Sequence, residues 1–133
     1  DFYKLKEIFE KYDIEVYIES ISGGMIDIIG MNFKSLCQKC DILVTLGGDG
    51  TLISVVRRSF AFDIPVLGIH AGNLGFLADL SLDELDDFVA KLKTKNYRIE
   101  QRAILQATIE NDKEDLIIYA FNDIVLTRPS ISN

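Results

Sequence analysis

The stretch DILVTLGGDGTLISVV, residues 41–56, changes character at its middle. Ile42–Leu46 is a short apolar run rich in β-branched residues, the composition of a buried strand. From about Thr51 to Phe60 the apolar residues recur at helical spacing. Between them, Gly47-Gly48-Asp49-Gly50-Thr51 places one carboxylate among three glycines. A strand that empties through a glycine turn into a helix is half of a βαβ unit, and the strand pattern Pro65–Ile69 supplies the other half. Such units pair their strands in parallel through right-handed crossovers, which predicts an α/β fold of Rossmann-like type.

The turn has a chemistry of its own. Backbone N–H groups and the positive end of the following helix face whatever sits there, and phosphate suits both. Glycine lets the backbone come close to such a ligand. A carboxylate in that place cannot itself hold phosphate, because like charges repel. It suits a substrate hydroxyl about to attack phosphorus: Asp49 would accept the proton while the amides hold the phosphates in line. The competing reading is a tight turn in which Asp49 or Thr51 caps the next helix. Neither a Walker P-loop nor a G-x-G-x-x-G fingerprint is present, since no Gly-Lys-Ser/Thr follows and the glycine spacing differs.

Composition narrows the setting. The chain has 133 residues, the size of about one domain, and 48% apolar residues, enough to bury a core. A net charge of −7 argues against nucleic acid as a partner, which would ask for clustered Lys and Arg. No apolar run approaches the ~18 residues of a membrane span, and no basic-then-apolar leader pattern opens the chain, so the expected location is cytoplasmic.

The remaining segments fit the same grammar. Leu5, Ile8, Phe9 and Tyr12 mark a helix over residues 1–12, and Ile14–Ile18 alternates as a strand does. Residues 20–33, with three glycines, read as a loop before a short helix over 33–40. Ser81 and Glu84 form a capping box ahead of a helix whose Leu82, Leu85, Phe88, Val89 and Leu92 make one apolar face. Its acids, Asp83, Glu84, Asp86 and Asp87, read as favourable charge at a helix start and a solvated face rather than a metal site. After Asn96 the pattern changes: residues 97–110 and 116–126 read as two strands of a hairpin about the polar turn Asn111–Asp115. The expected division is an α/β nucleotide-phosphate-binding domain over residues 1–98 and the start of an antiparallel all-β domain over 99–133. A single hairpin cannot bury a core alone, and the chain opens on a helix with no strand before it, so the sequence is expected to be a fragment whose full chain continues with more β structure.

Two cysteines, Cys37 and Cys40, form a C-x-x-C. With His70 the soft ligands total three, one short of a tetrahedral site, and the pair ends a helix rather than beginning one; structural thiols are expected, and no metal site.

Further stretches point to one family. The glycine turn resembles the signature shared by NAD kinases, diacylglycerol and sphingosine kinases and, with Ser for Thr, phosphofructokinases. Gly68-Ile69-His70-Ala71-Gly72-Asn73-Leu74-Gly75-Phe76-Leu77 resembles the NAD kinase motif after the next strand, Arg102-Ala103-Ile104-Leu105 its Arg-x-x-Leu, and Phe121-Asn122-Asp123-Ile124-Val125-Leu126 its Asn-Glu segment. The resemblance covers residues 42–128 and implies ATP-dependent transfer of phosphate to the 2′-hydroxyl of the adenosine ribose of NAD, giving NADP. It implies Asp49 as general base, Gly47, Gly48, Gly50 and Thr51 at the phosphates with Leu52 beside them, and Phe76 and Leu77 lining the NAD pocket. Asn122 and Asp123 match the pair that hydrogen-bonds the dinucleotide. Magnesium carried by the nucleotide phosphates and a homo-oligomer, usually a tetramer, are also implied. Two positions depart from the family pattern: His70 stands where Asn is common, with a neutral, packed histidine as its plain reading, and Asp123 stands where Glu is usual, one methylene shorter. Other readings are a lipid or sugar kinase sharing the glycine turn, or a non-catalytic nucleotide-binding fragment. A chain of these residues alone is expected to be inactive.

Overall fold

In the computed structural model, residues 2–70, 80–95, 99, 104–110 and 113–121 are described. The chain divides into two compact units, Asp1–Ile99 and Glu100–Asn133.

The first unit opens with helix α1, Phe2–Lys11. Its apolar residues fall three and four apart, so Leu5 and Phe9 reach the core together. It stops at Asp13, which takes a left-handed conformation (φ 60°) that Asp tolerates better than most side chains. Residues 14–18 alternate as anticipated, with Ile14 and Val16 packed on the core and Glu15 and Tyr17 outward. They nevertheless form no ladder among the described residues; the nearest pairing is an isolated parallel bridge between Glu19 and Met31. Alternation records one buried face, whereas a strand also needs a neighbour. The expected loop over residues 20–33 holds a one-turn helix, α2 (Ser20–Gly24), made possible by Glu19, whose carboxylate accepts the N–H groups of Ile21 and Ser22 at 3.0 and 3.2 Å. Helix α3, Phe33–Lys39, is capped by Asn32, which accepts the Ser35 N–H at 2.9 Å.

The sheet follows. Strand β1 (Leu43–Gly47), helix α4 (Asp49–Ser59) and strand β2 (Val66–His70) make the βαβ unit, and a short strand β3 (Leu80–Ser81) adds to β2. The order is β1-β2-β3, all parallel, with Gly47 opposite His70 and His70 opposite Ser81. Residues 71–79 lie outside the described residues. The capping box holds: the Glu84 carboxylate accepts the Ser81 N–H at 3.2 Å and its hydroxyl at 2.7 Å. A 3-10 turn over Leu82–Glu84 then leads into α5, Leu85–Lys93.

Two apolar clusters hold the layers. On one face of the sheet Ile69, Leu85 and Val89, none with any exposed surface, pack with Leu5 and Phe9 between α1 and α5. Complete burial of each such side chain is worth about 1.5–3 kcal/mol. On the other face Leu43 packs with Leu36 and Cys37 of α3, and Val55 of α4 and Val66 close around them. Besides Glu84 in the capping box, two more of the four acids near the start of α5 do more than face water: Asp86 accepts from Lys11 Nζ at 2.7 Å and from the Tyr12 hydroxyl, and Asp83 lies 3.7 Å from Lys4 Nζ. These exposed pairs orient α1 against α5 more than they stabilise it, because solvent screens them.

In the second unit, strands β4 (Ile104–Ile109) and β5 (Leu116–Phe121) pair antiparallel from Ile104 opposite Phe121 to Ile109 opposite Leu116. This is the anticipated hairpin; its continuation past residue 121 lies outside the described residues.

Candidate functional site

The C-terminal rim of an open parallel sheet is where such folds bind ligands, because strands end there and helices begin. At this rim stand Gly47, His70 and Ser81, side by side in register on three adjacent strands.

The turn after β1 is shorter than its periodicity suggests. Helix α4 begins at Asp49, with Gly48 as its N-cap (φ −104°, ψ −168°), and not near Thr51. A glycine cap has no side chain to offer, and none bonds there. Asp49 therefore occupies the first helical turn and is half-buried, instead of serving as the cap. Gly50 and Thr51 follow it in that turn, and both are exposed. Helix geometry leaves the N–H groups of this first turn without an intrahelical acceptor and concentrates positive potential there. The Leu52 N–H is the first to close onto the helix, donating to the Gly48 carbonyl at 3.3 Å.

Gly47 is constrained by its neighbour. A Cβ at this position would lie 2.7 Å from Thr51 Oγ1 and 3.2 Å from Thr51 Cβ, so a side chain here would force Thr51 to shift. At Gly48 and Gly50 a methyl group would meet nothing within 4 Å, which leaves open space over the turn. Leu52 is 7% exposed: its side chain is part of the interior under α4, and what the turn presents outward is Gly48, Asp49, Gly50 and Thr51.

Of the residues singled out in the sequence, the structure brings Gly47, Gly48, Asp49, Gly50, Thr51 and Leu52 together around one helix start. Phe76, Leu77, Asn122 and Asp123 lie outside the described residues. His70 and Ser81 reach the same rim, although in the sequence His70 reads as a packed residue and Ser81 only as a helix cap. Ser81 arrives there on a two-residue strand, too short to carry any periodic signal. The His70 side chain faces the α4 side, since its neighbour Ile69 is wholly buried on the α1/α5 side and strand residues alternate. Its Nδ1 is shut away from solvent and has no hydrogen-bond partner among the described residues. The bonds from Ser81 are the main cause that holds the Glu84 carboxyl below the usual carboxylate range, with the nearby His70 adding to the effect.

Away from the rim, Cys37 and Cys40 are both free thiols, and burial pushes both upward from the ordinary thiol range, which makes them poor nucleophiles. No helix among the described residues is long and apolar enough to cross a membrane.

Comparison with known proteins agrees with this geometry. The family model for the ATP-NAD kinase N-terminal domain matches residues 10–97. An NAD kinase of Sulfurimonas denitrificans is 59% identical over 130 residues, covering 98% of this chain and 46% of that protein. One from Wolinella succinogenes is 49% identical over 131 residues, covering 98% and 45%. Among solved structures, yeast NADH kinase complexed with NADH superposes with a TM-score of 0.65 over 87% of this chain and 42% of that one; at 18% identity the likeness is one of fold. The chain thus spans under half the length of the relatives it matches. From the βαβ core, the glycine turn at its rim and these matches together, the chain belongs to the ATP-NAD kinase family.

Proposed function

We propose that the protein of which this chain is part phosphorylates the 2′-hydroxyl of the adenosine ribose of NAD with ATP, giving NADP. The observation that carries the reading is the position of Asp49: in the first turn of α4, half-buried, directly after the rim glycines and beside the amides of the same turn. Those amides and the Thr51 hydroxyl bind phosphate oxygens, and open space over Gly48 and Gly50 lets the phosphates come close. The Asp49 carboxylate accepts the proton of the ribose hydroxyl as it attacks the γ-phosphorus of ATP. The magnesium belongs to the substrate, entering on the phosphates of ATP. Leu52 holds the turn in place from beneath.

By the family motif, Phe76 and Leu77 line the dinucleotide pocket, and Asn122 and Asp123 hydrogen-bond the dinucleotide, the carboxylate as acceptor of ribose hydroxyls. A homo-oligomer, a tetramer by resemblance, in the cytoplasm completes the proposal.

The test is direct. The full-length protein with ATP and NAD should yield NADP and should leave diacylglycerol and fructose 6-phosphate untouched; absence of NADP discards the reading. Asp49→Asn should lower turnover by about 10²-fold or more with NAD affinity nearly intact. Equal losses of binding and rate would make Asp49 a structural residue instead.

A further inference from the structure

The polyphosphate that this reading brings to the rim carries several negative charges, and the turn that receives it contributes a negative one in Asp49. The arginines of α4, Arg57 and Arg58, lie in its last turn, more than two helical turns from Asp49. At the rim itself, among the described residues, the one side chain that can carry a positive charge is His70.

Its placement suits that need. His70 ends the central strand, so it has the glycine turn on one side and the Ser81–Glu84 capping box on the other. Gly47, directly opposite it on β1, has no side chain to stand between the imidazole and the helix start. Alternation along β2 directs the ring to the α4 face, the face on which Thr51 approaches Gly47. The chain has invested in this ring at a cost, because a nitrogen buried without a partner forfeits the hydrogen bond that water would have given it. Orphaned N–H donors are rarer than orphaned acceptors, which favours Nδ1 as the bare acceptor. A neutral imidazole carries its proton on one nitrogen only, so the proton is then on Nε2, and Nε2–H becomes the donor available at the rim.

We propose that His70 is a further phosphate-binding residue of this site, its Nε2–H donating to a phosphate oxygen of the nucleotide gathered by the Gly47–Thr51 turn. The inference rests on the nucleotide-kinase reading of the turn and extends it to a residue on the neighbouring strand. The phosphate concerned is either a terminal one of ATP or the pyrophosphate of NAD, and separate binding measurements distinguish the two.

In the full-length protein, calorimetric titration with MgATP and with NAD, each in the absence of the other, should show one of the two affinities falling about 10-fold or more in His70→Leu, the loss expected for one hydrogen bond to a charged group. The ligand that weakens names the phosphate. His70→Gln, which keeps a donor of similar reach, should lose less. As a check independent of turnover and of the Leu variant's stability, the His70 imidazole resonance, assigned by its disappearance in His70→Gln, should move on addition of that ligand, as a new hydrogen bond from Nε2–H requires. Unchanged affinity for both ligands in a folded His70→Leu, together with a resonance that neither ligand moves, overturns the proposal. These outcomes separate from those of the kinase reading: wild-type protein that makes NADP while His70 proves inert sinks only the inference, and protein that makes none while His70 still governs nucleotide binding sinks only the reaction.

Discussion

Three glycines in one turn are not interchangeable, and substituting each with alanine separates what they do. At Gly47 the new methyl would sit 2.7 Å from Thr51 Oγ1 and 3.2 Å from Thr51 Cβ. The hydroxyl can rotate away about χ1, but Cβ moves only if the first turn of α4 moves. The cost should therefore fall near the low end of overpacking, about 1 kcal/mol, which for a chain of this family's length is a melting shift of roughly 2–4 °C. Function should suffer more. Either the hydroxyl turns from the phosphates or the helix start retreats, and one lost hydrogen bond to a charged oxygen weakens ATP binding by about 10-fold. Gly48→Ala and Gly50→Ala meet nothing within 4 Å. Gly48→Ala should lose only the modest amount by which alanine caps a helix less well than glycine, and Gly50→Ala, in the first turn of α4, should raise the melting point slightly through helix propensity. Both place a methyl where phosphate must approach, so both should still weaken ATP binding.

Differential scanning fluorimetry and calorimetric MgATP titration on the full-length protein measure both quantities. Adding Thr51→Ala to Gly47→Ala removes the closest atom and should restore part of the stability without restoring affinity, a coupling of about 0.5 kcal/mol or more between the two sites. Equal melting losses at all three glycines, or no coupling between residues 47 and 51, would refute the steric account of the turn.

Other expectations follow from the core and its charges. Leu85→Ala, at a side chain with no exposed surface between α1 and α5, should cost about 2–5 kcal/mol in urea denaturation, whereas a comparable truncation at the 66% exposed Ile21 should cost under about 0.5 kcal/mol. Asp86 is held below the usual carboxylate range first by the hydrogen bond from Lys11 and then by that from Tyr12, and Glu84 by its bonds from Ser81. A depressed carboxyl adds stability that is complete above its ordinary range and fades as pH falls through the lower, folded value, so both contributions disappear on acidification. Asp86→Asn should lower stability in the neutral region and converge with the wild type at low pH, so that the acid limb of pH-dependent denaturation flattens; an acid limb of unaltered shape would contradict the assignment. Ser81→Ala removes one half of the capping box and should destabilise the protein by about 1 kcal/mol.

What the sequence disclosed, and what it hid, follows from the kind of interaction that builds each element. The β1–α4–β2 unit and the capped helix after Ser81 were legible because each buries a periodic face or carries a local cap, and the hairpin because two strand-like runs flank a polar turn in the sequence. Helix α2 was hidden because its cap is Glu19, a residue that caps less often than Ser or Asp, and because two of its five residues are glycines. Ile14–Ile18 misled in the opposite direction: the pattern correctly gave a buried face at Ile14 and Val16, yet no local pattern reports whether a second strand lies alongside. Strand β3 was hidden by its length of two residues, and with it the presence of Ser81 at the rim. At the site, the meeting of strand, glycine turn and helix start around Asp49 was legible, while the inward turn of Leu52 needed the helix phase.

The largest local discrepancy, the start of α4 at Asp49 in place of Thr51, bears on the mechanism. Apolar spacing begins at Leu52, and Asp and Gly are poor helix formers, so propensity gives no reason to extend the helix backward. The structure extends it because Gly48 can cap through its backbone and because a carboxylate in the first turn is favoured by the helix dipole, at about 0.3–1 kcal/mol. Asp49 thus has a structural use as well as the proposed catalytic one, and the two differ in size. Removing the charge with Asp49→Asn should cost no more than about 1 kcal/mol of stability, whereas loss of a general base costs about 10²-fold in rate, equivalent to roughly 2.7 kcal/mol at the transition state. Asp49→Glu keeps the charge at the helix end and moves the oxygen by one methylene. It should therefore melt like the wild type and still turn over slowly, and a Glu variant with full activity would show that the position of that oxygen, on which the proposed proton transfer depends, is not what the turn has been built to fix.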